Sequence, residues 1–294
     1  MFSKISFLIF FLFFINKNFA QVNDSFPTSI LWEISGNGLK SNSYLLGTIH
    51  IRCGDDFILP QTIKQKLKLC TSFYEETNGF EPVGYNQYQD AVKWDKKLDS
   101  IIGDTLFNYA AKLFEQKTNI PLKNYNNILP FITTFSLTQK SLGCKKIVSM
   151  EKELFQFADK NKIDIYGIET ADEHFAVLKD LPDSFQIHYL LWNIFNSDSI
   201  AFYSSQIAKS FSNNTFFKIA NNNLGNKDYF DKIFDSVMLF KRNLNWIPTM
   251  MWRMKIEPTF FAFGASHLIA EKGLVALLKQ EGYTLKAVEL KTSN

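Results

Sequence analysis

The chain lacks the short sequence signatures by which several common enzyme classes are recognised. It has no glycine-rich phosphate loop and no G-x-S-x-G nucleophile elbow, so serine hydrolysis has little support. It has no H-E-x-x-H helix, the usual local signature of a zinc hydrolase. It also has no C-x-x-C pair, which argues against metal-thiolate chemistry. The chemistry therefore has to be sought in residues that lie far apart in the chain.

A basic surface is also lacking. The 32 lysines and arginines nearly balance 29 aspartates and glutamates, for a formal charge of +3. Removing Lys4 and Lys17 with the N-terminal segment described next lowers that charge from +3 to +1. A nucleic-acid surface needs a basic excess or stripe. We therefore expect no nucleic-acid partner.

The apolar stretch near the N-terminus is too short for a membrane anchor. It covers residues 5–15, whereas crossing a bilayer takes roughly 20 apolar residues. Lys4 before it and Ala20 after it complete the pattern of a secretory signal over residues 1–20. We expect an exported protein, periplasmic or extracellular, without a stable membrane anchor. Residues 21–294 are predicted to form a single domain.

Cysteine is scarce, and its count limits the possible pairing. Cys53, Cys70 and Cys144 are an odd number, so at least one stays unpaired in an oxidising compartment. A Cys53–Cys70 bridge is one interpretation, because both residues lie close to the first histidine segment described next. The alternative is that these cysteines are simply buried.

Histidine is scarce too, yet two of the four histidines occur in the same pattern. An apolar run followed by G-x-x-H ends at His50 in YLLGTIH and at His267 in FFAFGASH. Such a run is typical of a buried strand that reaches the edge of a sheet, where glycine lets a ligand approach. Both imidazoles are therefore predicted at strand ends, where α/β sheets commonly carry their chemistry.

The patterns along the chain predict a mixed α/β fold. Strands are predicted over residues 30–34, 44–50, 72–77, 163–168, 259–263 and 283–288, the first two as a hairpin. Helices are predicted over residues 61–69, 104–116, 150–160, 183–203, 228–246 and 268–280, the last inside a terminal βαβ unit. We expect a central β-sheet that carries the two GxxH strands, flanked by helices, with a helical middle region.

Two neutral imidazoles and a carboxylate at strand ends are a suitable ligand set for a divalent metal ion. Such a set leaves positions for water and substrate, and a bound ion supports hydrolysis at neutral pH. Of Glu75 and Glu76, only one can share the histidine face, because adjacent strand residues face opposite ways. Glu169 follows another predicted strand. The alternative is that His50 and His267 only satisfy backbone groups.

The remaining candidates are predicted to lie outside the site. His188 lies on an apolar helix and is predicted to pack in the interior. His174 lies in the first turn of a helix that begins with a capping box at Thr170, and it is predicted to be exposed. Trp246 is predicted to be a core residue.

Five segments match the motifs of one known family in the right order. They are LLGTIH (residues 45–50), Glu76, GIET (residues 167–170), Arg242-Asn243 with Trp246, and GASHL (residues 264–268). In these segments the chain resembles the TraB/GumN family, which includes the Tiki-type proteases. The family usually has an aspartate two residues after its glutamate, where this chain has Asn78.

The resemblance implies a peptidase that depends on a divalent metal ion, and we expect manganese, cobalt or zinc. Carried over residue by residue, it makes His50, His267 and Glu76 the metal ligands. The catalytic group would comprise Glu76, Glu169, Arg242 and Asn243. In that group Glu169 would be an acid, a base or a further ligand, and the Arg242-Asn243 pair would hold substrate or an oxyanion. The substrate would be a peptide or a protein.

Two other functions are compatible with the same features. A non-catalytic protein of this fold could sequester a peptide signal or a haem-like ligand in the same pocket. A structural or scaffolding α/β protein could use the two histidines only to satisfy backbone groups. The scaffolding hypothesis leaves the repeated histidine motif and its glutamates unexplained.

Overall fold

A six-stranded mixed β-sheet lies at the centre of the fold. The computed structural model describes residues 29–54, 58–77, 85–142, 144–212 and 229–290. The strands are β1 (Leu31–Gly36), β2 (Ser43–Thr48), β3 (Arg52–Cys53), β4 (Ser72–Thr77), β5 (Ile147–Val148), β6 (Asp164–Glu169), β7 (Thr259–Gly264) and β8 (Tyr283–Val288). The sheet has the order β6-β4-β7-β2-β1-β8, and β3 pairs separately with β5.

Four neighbouring strands of the sheet run in the same direction. β6, β4, β7 and β2 are parallel, and β1 is antiparallel to both β2 and β8. The carboxyl ends of the four parallel strands therefore meet at one edge, at Thr48, Thr77, Glu169 and Gly264. Both histidine segments leave the sheet at this edge, as the sequence predicts.

The two strands that end in G-x-x-H are buried along their whole length. Every residue of β2 and β7 is buried, and Phe260, Phe261 and Phe263 are fully enclosed. A strand covered by helices on both faces reads as a continuous apolar run rather than an alternating one. This burial fixes the strand ends, and with them the residues that follow.

Helices cover the sheet and make up the middle of the chain. They are α1 (Gln61–Leu67), α2 (Tyr85–Val92), α3 (Leu98–Ile102), α4 (Asp104–Thr118), α5 (Pro130–Ser141), α6 (Met150–Lys160), α7 (Ala171–Lys179), α8 (Asp183–Phe195), α9 (Ser197–Ser212), α10 (Tyr229–Phe234), α11 (Lys241–Ile256) and α12 (Leu274–Gln280). The middle helices enclose a second apolar core around Phe114, Leu137 and Leu190. Across the described ranges, every helix is too short or too polar to cross a lipid bilayer.

The predicted fold class is confirmed, as are the hairpin and the βαβ unit. β1 and β2 form the hairpin, and its turn holds Asn37 at a φ of 45° between two left-handed glycines. β8 is parallel to β7, although β2 and β1 lie between them in the sheet. The predicted signal segment (residues 1–20) and Asn78 lie outside the described residues.

Three predicted helices differ from those observed. The helix predicted over residues 183–203 is divided at Asn196, where α8 ends and α9 follows. The helix predicted over residues 228–246 contains a π-helical segment, Asp235–Phe240, and runs on to Ile256. A 3₁₀ turn, Ala265–Leu268, delays the start of α12 to Leu274.

The disulfide joins Cys53 to Cys144, so the Cys53–Cys70 bridge, one of the two interpretations of the sequence, is not formed. The Cα atoms of Cys53 and Cys144 are 5.7 Å apart, and the two residues are separated by 91 positions in the sequence. After His50 the chain leaves the sheet, and the pairing of β3 with β5 brings Cys53 beside the segment that carries Cys144. Cys70 is a buried free thiol at the end of α1. Proximity in sequence was therefore a poor guide to pairing.

We expect one free thiol per chain in the oxidised protein after denaturation, and three after reduction. Titration with DTNB in guanidinium chloride measures both numbers. Cys70→Ser should remove the single thiol, whereas Cys144→Ser should leave two, because it frees Cys53. Three thiols in the unreduced wild type would contradict the Cys53–Cys144 bridge.

Candidate functional site

The common edge of the four parallel strands collects the residues that the two histidine motifs predict. His50 follows β2, Glu76 is next to last in β4, Glu169 ends β6, and His267 lies in the 3₁₀ turn after β7. Helix α11 adds Arg242 from its first turn. The fold therefore brings these five side chains together from five separate segments.

The carboxylate of Glu76 lies between the two imidazoles. Its Oε1 is 3.8 Å from Nε2 of His50 and 3.8 Å from Nε2 of His267, and it accepts the backbone N–H of Gly264 at 2.8 Å. Its Oε2 accepts a hydrogen bond from Nη2 of Arg242 at 2.6 Å. Burial, the largest single effect, would raise the pKa of Glu76. The positive charge of Arg242, together with smaller contributions from the three neighbouring histidines, outweighs burial and holds this pKa well below the usual value.

His267 is a buried imidazole whose orientation is fixed by Asn243. Its Nδ1 is 2.6 Å from Oδ1 of Asn243. An amide oxygen only accepts, so we assign the ring proton to Nδ1 and the lone pair to Nε2. Burial lowers the pKa of His267 to about 3 against the opposing charge of Glu76. His267 is therefore neutral, the form in which histidine binds metal ions.

His50 is held from the other side by Glu151. Its Nδ1 lies 2.9 Å from Oε1 of Glu151, which also accepts from Oγ1 of Thr48 at 2.6 Å, while Oε2 accepts from Oγ of Ser149 at 2.8 Å. Burial opposes a charge on the ring, yet Glu151 and then Glu76 outweigh it and raise the pKa of His50 to about 9. Its side chain is 44% exposed, so this imidazole is the one that solvent reaches.

Arg242 binds two carboxylates at once in a nearly dry environment. Its side chain is 4% exposed. Nη2 donates to Glu76 and to Glu169, Nε donates to Oε2 of Glu169 at 3.2 Å, and Nη1 donates to the carbonyl oxygen of Met238 at 3.1 Å. The guanidinium lies over the ring of Trp246, 4.6 Å from its centroid. A buried cation needs such compensation, and here both glutamates provide it.

Glu169 is surrounded by hydrogen-bond donors. Oε1 accepts from Nδ1 of His174 at 2.8 Å and from Arg242, and Oε2 accepts from Nε of Arg242 at 3.2 Å and from Nε1 of Trp246 at 3.0 Å. Burial would raise its pKa, but these hydrogen bonds lower it. A carboxylate engaged with this many donors is a weak general base, so the geometry favours a positioning role for Glu169.

His174 contacts the site, and the prediction that it is exposed is wrong. The predicted capping box is present between Thr170 and Glu173. It begins α7 directly after β6, so the first turn of the helix folds over the strand end and sets His174 against Glu169. The side chain is 31% exposed. With Nδ1 donating to Glu169, Nε2 is the nitrogen that can exchange a proton with a ligand.

Asn243 does not face the cavity, which corrects the expectation that it holds substrate or an oxyanion. It is fully buried. Its Nδ2 donates to the carbonyl oxygens of His267 at 3.0 Å and Lys272 at 2.8 Å, and its Oδ1 binds His267. Every polar atom of the side chain is engaged, so Asn243 positions His267. Trp246 packs in the core as predicted, and its indole N–H also binds Glu169.

Two of the three separations among the donor atoms of His50, His267 and Glu76 are compatible with a shared divalent ion. Ligands about 2.1 Å from a shared ion lie about 3.0–4.2 Å from each other, depending on the angle at the ion. Both 3.8 Å separations from Glu76 fall in this range. A Cβ at Gly264 would lie 3.0 Å from Nε2 of His50 and 3.2 Å from Oε1 of Glu76, so the glycine leaves room.

The outer contacts of the two rings also fit a metal site. Glu151 and Asn243 hold the far nitrogen of each imidazole, as the outer partners of metal-binding histidines commonly do. One contact competes, because Nη1 of Arg242 lies 3.1 Å from Nε2 of His267. Ion binding at His267 therefore requires Nη1 to move off that nitrogen.

A second cluster of ligand types is already filled by a cation from the protein itself. Ligand atoms of Glu76, Glu169 and His174 lie within 4.8 Å of one another. Nη2 of Arg242 contacts all three groups, at 2.6 Å from Glu76 and 3.1 Å from His174. The guanidinium takes the position that an ion would need, so Arg242 is the cation of this cluster in the structure.

Two residues of the site were missed at the sequence level. Glu151 follows Ser149, which caps α6 as predicted, but only the β3–β5 pairing shows that it faces His50. His174 had a signal, because its helix begins immediately after the strand that ends in Glu169. His188 packs as predicted, stacked on Phe230 with 4.6 Å between ring centroids.

The polar cluster forms one side of a cavity of about 390 Å³. This volume lies in the range of small-ligand sites, roughly 300–1,000 Å³. His50, Glu76, His174, Arg242 and His267 line the polar side. The cavity therefore gives a ligand access to the histidines and to Glu76.

The sequence that builds this edge matches one known family. The match to the TraB/PrgY/gumN family covers residues 30–287. The chain belongs to the TraB/PrgY/gumN family. The family resemblance predicted from the motifs is thereby confirmed, and the match spans every site residue described above. No curated protein and no solved structure matches the chain.

Arg242→Met should lower the free energy of unfolding by about 3–5 kcal/mol, because it leaves two buried carboxylates without their shared cation. Urea unfolding followed by circular dichroism measures the change. Lys241→Met is the matched control, since Lys241 pairs with Asp180 at the surface and should cost at most about 1 kcal/mol. Equal losses in the two variants would contradict the central role of Arg242.

Glu169→Gln should make folding less sensitive to acid. The pKa of Glu169 is lowered in the folded protein from the usual 4.5. Its charge therefore stabilises the fold above about pH 4.5, and that contribution is lost as the pH falls through the folded-state pKa. As the pH falls below about 4.5, wild-type stability should fall more steeply than that of the variant, which starts lower at pH 7. Parallel curves of stability against pH for the wild type and the variant would refute this prediction. Glu115→Gln, at an exposed position, serves as the control.

Proposed function

We propose that the protein is an exported, divalent-metal-dependent hydrolase that cuts peptide bonds. The observation that carries this proposal is the convergence of two imidazole Nε2 atoms on one carboxylate oxygen of Glu76. When bound there, a divalent ion such as manganese, cobalt or zinc supplies Lewis acidity and lowers the pKa of water at neutral pH. His50, His267 and Glu76 would hold it.

The remaining residues would orient the reacting groups and handle protons. Glu151 and Asn243 hold the two ligand rings, and Glu169 holds His174 and Arg242. His174 is the group at the cavity that can accept or return a proton through Nε2, as a general acid or base does. Arg242 supplies positive charge beside the reacting position, where negative charge develops during acyl transfer.

Export followed by cleavage near Ala20 belongs to the same proposal. Disulfides persist in oxidising compartments and are rare in a reducing cytosol. The Cys53–Cys144 bridge therefore supports a location outside the cytoplasm, in the periplasm or beyond the cell.

Binding without turnover is the second candidate function. It is favoured by one specific contact, the hydrogen bond of Arg242 Nη1 to His267 Nε2. If Nη1 stays on that nitrogen, the ligand set is incomplete, and the cavity can still hold a peptide or a haem-like ligand. Tight retention of ligand with no cleavage under any metal would distinguish this function.

We expect His50→Ala and His267→Ala to lose both metal binding and hydrolysis while remaining folded. Loss of an outer partner already lowers the metal affinity or the activity of a metal site about 10–100-fold. Loss of a ligand should therefore lower them more than about 100-fold. The mature protein is stripped of metal, reloaded with manganese, cobalt or zinc, and analysed for metal content. Cleavage of a mixed peptide library is then followed by mass spectrometry.

His188→Ala is the matched control for this experiment. His188 stacks on Phe230 in the helical region and is not among the residues that line the cavity. It should retain metal and activity after correction for any loss of folded protein. The proposal is refuted if either ligand variant binds metal and cleaves peptides as the wild type does.

A further inference from the structure

The cavity has two sides of opposite character. The lining that the middle helices contribute includes an apolar wall, formed by Phe131, Ile132, Phe135, Ile207, Phe234 and Met238. We propose that this apolar wall binds one large apolar side chain of a peptide substrate, next to the bond that is cut. This inference rests on the proposed function and adds the substrate preference of the site.

The apolar wall begins directly beside the candidate metal ligands. Ile49 precedes His50 and lines both the main cavity and a smaller recess of about 60 Å³. The recess shares Phe131 and Phe135 with the cavity and continues to Leu142. A group bound against this wall therefore lies next to the imidazole of His50 rather than at a remote surface.

The chemistry of the wall selects an uncharged group. Thr134 and Thr138 line the recess, but their hydroxyls donate to the carbonyl oxygens of Pro130 at 3.2 Å and Thr134 at 3.0 Å. They therefore present no free hydroxyl donor to a ligand. A charged side chain placed here would lose its hydration without gaining a partner, whereas a large apolar side chain would lose only its contact with water.

One residue of the wall, Phe135, has exposed apolar surface that could contact such a group. Phe135 is 45% exposed, although its neighbour on the helix, Phe131, is almost fully buried. The two rings meet edge to face with 5.6 Å between centroids. The exposed part of Phe135 is apolar surface at the cavity that a ligand side chain would cover.

A hydrogen bond connects the apolar wall to the polar side of the cavity. The π-helical segment Asp235–Phe240 places Met238 at the cavity, and the carbonyl oxygen of Met238 accepts Nη1 of Arg242 at 3.1 Å. π-helical turns are often found at functional sites. One short segment therefore sets both the apolar wall and the guanidinium that faces Glu76.

The test compares two capped peptides that differ at one residue. Acetyl-Ser-Gly-Phe-Gly-Ser-amide and the same peptide with alanine in place of phenylalanine are titrated into metal-free protein by calorimetry. Without metal there is no turnover, so the dissociation constants report binding alone. Wild type should bind the phenylalanine peptide at least about tenfold more tightly, because its ring covers apolar surface that alanine leaves wet.

Phe135→Asp should reduce this preference to about threefold or less, because it places a charge at the wall. Phe195→Asp is the matched control, since Phe195 is 42% exposed and lies outside the cavity. It should keep the wild-type ratio. Phe135→Ala provides a milder second variant, with an intermediate ratio expected. Circular dichroism confirms that each variant is folded.

The proposal is overturned if wild type binds both peptides equally, if neither peptide binds, or if Phe195→Asp loses the preference to the same extent. Its failure is separable from that of the hydrolase proposal. A preference for phenylalanine without any cleavage under metals leaves the apolar site in place and removes the hydrolase. Cleavage of the peptide library with no large apolar residue at a fixed position does the reverse.

Discussion

The buried guanidinium of Arg242 is the interaction on which the rest of the site depends. Glu76 and Glu169 are neighbours at one sheet edge, and two desolvated carboxylates cannot both stay ionised without a cation between them. The planar fork of arginine meets both at once. It thereby keeps Glu76 charged and directed at the two imidazoles, and it keeps Glu169 in contact with His174.

The two imidazoles are built for different tasks. His267 is buried, neutral and locked by Asn243, so it forms the fixed side of the ligand set. His50 is partly exposed and is held by Glu151. The segment that carries His50 and the segment that carries Glu151 are joined by the β3–β5 pairing and by the Cys53–Cys144 bridge. On the solvent-exposed side of the site, the covalent Cys53–Cys144 bridge therefore helps to fix the position of His50.

The sequence predicted the strand ends well because a fully buried parallel strand leaves a strong pattern, an apolar run that stops at glycine. His50 and His267 follow from that pattern, and Glu169 follows from its place after a predicted strand. Glu76 was preferred to Glu75 only through the family resemblance. Glu151 could not be predicted, because its position depends on a two-residue strand pairing with no periodicity of its own. The pairing of Cys53 with Cys144 was missed for the same reason.

Net charge is a further argument for the proposed divalent ion at this edge, despite the contact between Arg242 and His267. Glu76, Glu151 and Glu169 all have lowered pKa values and are ionised at neutral pH. Against the positive charges of Arg242 and of His50, whose pKa is raised to about 9, these three negative charges leave −1. A divalent ion that displaces the proton of His50 would bring the sum to zero, and Arg242 could release His267 while Nη2 still binds both of its carboxylates. The guanidinium would then remain the permanent cation of one cluster, beside an exchangeable cation in the other.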